Sequence, residues 1–168
     1  LKKANFNDTV YIGESWIIDG LKISVVKAYH WGVRYGFDGL LWGYSAFCGY
    51  LIEYHGMTVY FPGDTAYNSK AFKSLGRNYT IDLALIPIGP CKECSRVGNN
   101  QHVYPKGALK ILDDTKAKLL VPIHYGTLFE KSDSPDEPKF VLQDMIRTNP
   151  EYKDRVKIME IGEQVVII

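Results

Sequence analysis

The residues best suited to chemistry are two imidazoles and a carboxylate at the ends of strand-like segments. His30 follows Val-Val-Lys-Ala-Tyr, Asp64 follows Val59-Tyr60-Phe61-Pro62-Gly63, and His124 follows Leu119-Leu120-Val121-Pro122-Ile123. In open α/β sheets, ligands gather beyond the carboxyl ends of the strands, where side chains from distant parts of the chain converge. Nitrogen and carboxylate donors suit a borderline cation such as zinc, and a carboxylate with two oxygens can bridge a pair of ions. Each residue also has a plainer reading. A single histidine at a strand end is more often a polar terminus or a hydrogen-bonded core residue. Gly63-Asp64-Thr65 alone is a turn in which Asp64 caps the next helix.

The elements that must position these groups follow from periodicity. Val10 to Ile18 and Leu21 to Tyr29 are rich in β-branched and aromatic residues, with Asp19-Gly20 between them as a hairpin signal. Phe47 to Glu53 and Met57 to Phe61 predict a second hairpin, turning at Tyr54-His55-Gly56. Ser69 to Leu75 carries a short helical pattern with Gly76 as its stop. Asp82 to Ile88 and Lys118 to Ile123 are apolar runs of strand length, and Pro105 suits the first turn of a helix reaching Asp114. A further helix is predicted over Lys139 to Arg147, with closing strands at Val156 to Met159 and Gln164 to Ile168. Strands alternating with helices predict an α/β fold, a mixed sheet covered by helices. The Ser-, Asp- and Pro-rich segment Lys131 to Pro138 is short enough to be a surface loop, so residues 1–168 read as a single domain.

Composition narrows the function. A net charge of +1 gives no long-range attraction for nucleic acid or an anionic membrane. No apolar run approaches the ~20 residues that span a bilayer. No leader is visible, although Leu1 is not an initiator methionine. Three cysteines do not read as a disulfide framework, which favours a reducing, cytoplasmic setting. Cys91-Lys92-Glu93-Cys94 leaves three readings open: a structural or incidental pair, a zinc site short of ligands, or a redox pair. The Gly- and aromatic-rich stretch from Trp31 to Tyr44 follows His30 directly and could line a pocket or fill a core. His55 sits in a turn and reads as surface.

Phe61-Pro62-Gly63-Asp64-Thr65-Ala66-Tyr67, then Asp82 to Gly89, then Gln101-His102 with Pro105, then Pro122-Ile123-His124-Tyr125-Gly126-Thr127 form one ordered series. In that order and spacing the chain, from about Leu21 to about Pro138, resembles the C-terminal half of the metallo-β-lactamase superfamily. Within it the likeness is to the N-acyl-phosphatidylethanolamine phospholipase D-like group, with the ascorbate-6-phosphate lactonase group more distant. The resemblance implies an αββα sandwich and two divalent metal ions, with zinc the default. It implies that His30 binds the first metal, Asp64 bridges both, and His124 binds the second. His102 would lie beside the substrate and donate a hydrogen bond to a phosphate oxygen or the leaving group. Tyr125 stands where those relatives often have tryptophan, a change in the pocket wall.

One part of the pattern is missing. The family opens its site with His-x-His-x-Asp-His, and none of the four histidines here, 30, 55, 102 and 124, share that spacing. The expectation is therefore a C-terminal half whose apolar face needs a partner, either the missing N-terminal half or another chain. Such a chain alone should bind metal weakly and turn over no substrate. The complete protein is expected to be a metal-dependent hydrolase of a lipid-like or small-molecule phosphodiester or related ester. A lactonase or other carbonyl-ester hydrolase on the same metals, and a non-catalytic binding or assembly half-domain, are the alternatives.

Overall fold

A computed structural model describes residues 11–30, 47–127 and 134–167. Its strands, in chain order, are β1 (Ser15–Ile18), β2 (Leu21–Lys27), β3 (Cys48–Tyr54), β4 (Met57–Phe61), β5 (Leu83–Pro87) and β6 (Leu119–Ile123). They form one sheet whose spatial order is the sequence order. The first four pair antiparallel, while β4, β5 and β6 pair parallel. Helix α1 (Ser69–Asn78) joins β4 to β5, α2 (Pro105–Thr115) lies between β5 and β6, and α3 (Glu137–Thr148) follows β6. The switch from antiparallel to parallel pairing tracks the connections. Two-residue turns join β1 to β2 and β3 to β4 and can only reverse a strand, whereas the helical crossovers after β4 and β5 return the chain to run beside itself.

Both hairpin turns carry the backbone that their residues permit. Asp19 and Gly20 have φ of 48° and 82°, and His55 and Gly56 have φ of 48° and 80°. Two consecutive positive values match the right-handed twist of the flanking strands. His55 is exposed, as its turn position implies. The first predicted strand begins later than expected. Residues 11–14 form a turn, in which the Glu14 N–H donates to the Tyr11 carbonyl at 3.0 Å.

Gly76 does not end α1, which continues to Asn78. A Cβ at Gly76 would lie 2.5 Å from the Asp114 carbonyl oxygen and 2.8 Å from the Thr115 backbone, so this glycine lets α1 close on α2. Helix propensity alone would have Gly76→Ala gain ~1 kcal/mol. The clash is with backbone, which cannot rotate away, and the sign should invert to a loss of about 1–3 kcal/mol. Urea unfolding of Gly76→Ala would show this as a lower midpoint; an unchanged or higher midpoint would mean the helices are not that close.

The two closing strands are also absent from the sheet. Val156 makes one parallel bridge with Leu120, the Leu120 N–H donating to the Arg155 carbonyl at 2.8 Å and the Lys157 N–H donating to the Leu120 carbonyl at 2.9 Å. The chain then turns, with the Glu163 N–H bound to the Glu160 carbonyl, and residues 164–167 form no ladder.

The sheet is apolar on both faces. Leu51, Tyr60, Ala84 and Leu120 stand in register, each exposed by 1% or less, and pack with Phe72, Ile111, Leu112 and Leu142 of the helices. On the opposite face a second row runs in register across all six strands: Trp16, Ile23, Ile52, Val59, Leu83 and Leu119. Trp16 is 41% exposed and the others are half-buried. A strand buried on both faces reads as a continuous apolar run, which is the pattern of β5 and β6.

The expected Gly- and aromatic-rich stretch, Trp31 to Tyr44, lies outside the described residues, as does part of the loop before α3.

Candidate metal centre

The loops that leave β2, β4 and β6 bring the three sequence candidates to one rim. His124 Nε2 lies 3.6 Å from Asp64 Oδ1. His30, Asp64 and His102 each offer a ligand atom such that all three atoms lie within 4.8 Å of one another. The His30 and His102 rings meet edge to face at 5.1 Å, and His102 stacks on His124 at 5.4 Å. His102, expected beside a substrate, therefore stands within 4.8 Å of an Asp64 oxygen, as His30 does. Its position in the loop before α2 carries no strand-end signal, and only the resemblance points to it.

Three nitrogens in this cluster are buried and make no hydrogen bond: His30 Nδ1, His102 Nδ1 and His124 Nε2. A buried polar atom without a partner costs about 1–3 kcal/mol. Three histidines, each with such a nitrogen, beside one carboxylate are the donor set that a cation satisfies, and the residues fit a metal ion on this observation. Burial holds the His30 and His102 imidazoles below their ordinary pKa, outweighing the attraction of Asp64. Both are consequently neutral at pH 7, the form that presents a lone pair to a metal. His124 adopts φ of 60°, the left-handed region that non-glycine residues rarely enter. A strained backbone at this position agrees with a side chain placed for function rather than for stability.

Local hydrogen bonds set the loops. Asn99 Oδ1 accepts the backbone N–H groups of Gln101 at 2.8 Å and His102 at 2.7 Å, and the Asn99 N–H donates to the His102 carbonyl at 2.9 Å. Asn99 Nδ2 donates to the Tyr104 hydroxyl at 3.0 Å. Tyr104 packs with Cys91 and Cys94, which are buried and joined as a disulfide. The cysteines were expected to carry no disulfide framework; here one bond closes a tight loop upstream of His102, and no other metal ligand accompanies it in the described residues. Asx turns are visible in a sequence as Asn two or three residues ahead of the group they orient, so Asn99-Asn100-Gln101-His102 held that signal. Tyr125 is half-buried against the main core, and its hydroxyl donates to the Met159 carbonyl at 3.4 Å.

A family model described as a beta-lactamase superfamily domain matches residues 6–125. A UPF0173 metal-dependent hydrolase of Pelotomaculum thermopropionicum is 32% identical over 155 residues, covering 92% of this chain and 60% of that protein. The mitochondrial N-acyl-phosphatidylethanolamine-hydrolyzing phospholipase D of Saccharomyces cerevisiae is 31% identical over 145 residues, covering 84% of this chain and 30% of that protein. Among solved structures, the metallo hydrolase Igni18 of Ignicoccus hospitalis superposes with a TM-score of 0.65 at 24% identity, covering 98% of this chain and 62% of that one. A possible metal-dependent hydrolase of Veillonella parvula gives a TM-score of 0.67 at 20% identity, covering 98% and 61%. At those identities the structures speak for the fold alone. The chain thus spans about three-fifths of the length of the first of these relatives and less of the yeast enzyme. His30, Asp64, His102 and His124 all fall inside the segment that the family match covers, and this chain belongs to the metallo-β-lactamase superfamily.

Proposed function

We propose that the chain contributes His30, Asp64 and His124 to a dinuclear centre of a metal-dependent hydrolase acting on a phosphodiester or related ester. The observation that carries this is a set of three histidines, each with a buried ring nitrogen that makes no hydrogen bond, gathered round one carboxylate. Relatives named as metal-dependent hydrolases and as a phospholipase D support the reaction class. Bound zinc ions would supply Lewis acidity and lower the pKa of water.

The chain's own groups have separable tasks. Asp64, 44% exposed at its side chain, would bridge the two cations and offset their charge. His30 and His124 would each hold one ion. His102, held neutral by burial, has an N–H to donate to a phosphate oxygen or a departing alkoxide. The apolar row from Trp16 to Leu119 supports a further layer packed on the second face of the sheet, supplied by additional polypeptide. Residues 1–168 on their own then hold metal weakly and turn over no substrate.

The test compares the natural protein carrying this sequence with residues 1–168 alone, each given zinc. Release of nitrophenol from bis(p-nitrophenyl) phosphate by the former, abolished by EDTA, is the expected result. Lactone hydrolysis without diester hydrolysis would move the function to a carbonyl-ester hydrolase. Tight zinc binding with neither activity would leave a non-catalytic module. Equal zinc affinity in the two preparations would contradict the need for further polypeptide.

A further inference from the structure

Thr65 is completely buried, next to the exposed Asp64, and its polar atoms are engaged with backbone groups of other loops. The Tyr29 N–H donates to Thr65 Oγ1 at 2.9 Å, across 36 residues of sequence. The Val103 N–H donates to the Thr65 carbonyl at 2.9 Å. The Ala66 N–H donates to the Tyr29 carbonyl, and the Thr65 hydroxyl donates to the Ala66 carbonyl at 3.0 Å. Tyr29 is the residue before His30, and Val103 is the residue after His102. One side chain and its backbone therefore tie together the three segments that carry His30, Asp64 and His102.

We infer that Thr65 is the positioning residue of the centre: its hydroxyl and carbonyl fix the backbones of His30 and His102 against that of Asp64. The inference rests on the metal-binding reading above. A ligand set is useful to a cation only if its atoms are already placed, because distances out by a few tenths of an ångström forfeit the site. The three segments are far apart in sequence and belong to no common ladder, so sheet pairing does not set their spacing. Thr65 does. Valine in its place would keep the shape and leave the Tyr29 N–H without its acceptor, freeing His30 to shift. Serine would keep the acceptor.

A buried hydroxyl also stabilises a fold in general, and Thr115 separates the two roles. It too is completely buried, its hydroxyl donating to the Ile111 carbonyl at 2.6 Å in the last turn of α2. That is a helix length from His102, about 15 Å at 1.5 Å per residue.

Cobalt(II) titration, followed by its visible absorption, is run on the natural protein carrying this sequence and on its Thr65→Val, Thr65→Ser and Thr115→Val variants, with far-UV circular dichroism to check folding. Thr65→Val is expected to weaken cobalt binding by about ten- to a hundredfold, the range found for partners that orient metal ligands. Thr65→Ser and Thr115→Val should stay within about threefold of wild type, because each keeps what the centre needs. If Thr65→Val does not fold, Thr65→Ala against Thr65→Ser makes the same comparison. A hydroxyl-free variant that binds like wild type would overturn the inference and leave the metal reading intact, and a Thr115→Val loss as large as that of Thr65→Val would do the same. A wild-type natural protein that takes up no cobalt would overturn both.

Discussion

Replacing Asp64 by asparagine is expected to empty the centre of metal and to cut metal-dependent hydrolysis by more than about a hundredfold, since losing even a partner that orients a ligand costs ten- to a hundredfold. Asp64 is the carboxylate in a cluster otherwise made of imidazoles. Two divalent cations about 4 Å apart repel each other by roughly 16 kcal/mol at an effective dielectric of 20. Neutral imidazoles do nothing to offset that. The asparagine amide keeps the size of the side chain and one oxygen but loses the charge, so the variant tests charge and not packing. Asp64 is exposed, and the fold should therefore survive the change. Elemental analysis after dialysis, beside His30→Ala and His124→Ala, reads the outcome directly. His55→Ala serves as the control, because His55 is exposed in a hairpin turn, its ring edge to face with Tyr54 and outside the cluster. Wild-type metal content in Asp64→Asn would remove the bridging role and with it the dinuclear reading.

How much of this was legible in the residues divides along the range of the interactions involved. Local chemistry was readable. Asp19-Gly20 and His55-Gly56 turn where their dihedral freedom allows, and Pro105 opens α2 where its missing N–H costs nothing. The strand ends at Ile123 and Phe61 followed from apolar runs, and with them the approach of Asp64 and His124. Long-range chemistry was not readable. Gly76 carries a helix-stop signal, and what overrules it is a backbone from residues 114 and 115. Val156 to Met159 has strand composition, yet the ladder with β6 ends after one bridge because the chain turns at 160–163. Thr65 belongs to the same class. Its identity looks like the tail of a turn motif, and its bonds to Tyr29 and Val103 exist only once the sheet has brought three loops together. His102 marks the boundary between the two. Residue pattern alone left it unremarked, family resemblance put it beside a substrate, and geometry puts it within ligand distance of Asp64.

The second row of the sheet has the same lesson for energetics. Alternation along β2 and β3 tells which side chains share a face, but not whether that face is covered. Trp16, Ile23, Ile52 and Val59 are as apolar as the helix-covered row, yet in the described residues Trp16 is exposed and the other three are only half-buried. Burial of such residues contributes roughly 25 cal/mol per Å² of apolar surface, so a layer covering this row would add stability. Metal affinity and the cover are then linked, because a firmer sheet holds the loops that carry His30, Asp64 and His124.

The centre should also make thermal stability depend on zinc and on pH together. Zinc at about a hundred times its dissociation constant stabilises the folded state by ~2.7 kcal/mol. For a chain of this size each kcal/mol moves the midpoint by about 2–4 °C, so the expected rise is about 5–11 °C. The pH dependence has a definite sign. Burial lowers the pKa of His30 and His102 in the folded state, so the unfolded chain binds protons first as pH falls through about 6.5. Stability is fully present above that value and is lost as pH drops through the lower, folded-state values. Protonation also removes the lone pairs that zinc needs, so the zinc increment should shrink over the same interval. Both curves therefore bend the same way, and melting curves at pH 8, 7, 6 and 5, with zinc or with EDTA, trace them. His30→Ala should flatten the EDTA curve and remove most of the zinc increment, while His55→Ala should change neither. A zinc increment that persists undiminished at pH 5, or that survives His30→Ala, would place the bound ion somewhere other than at these imidazoles.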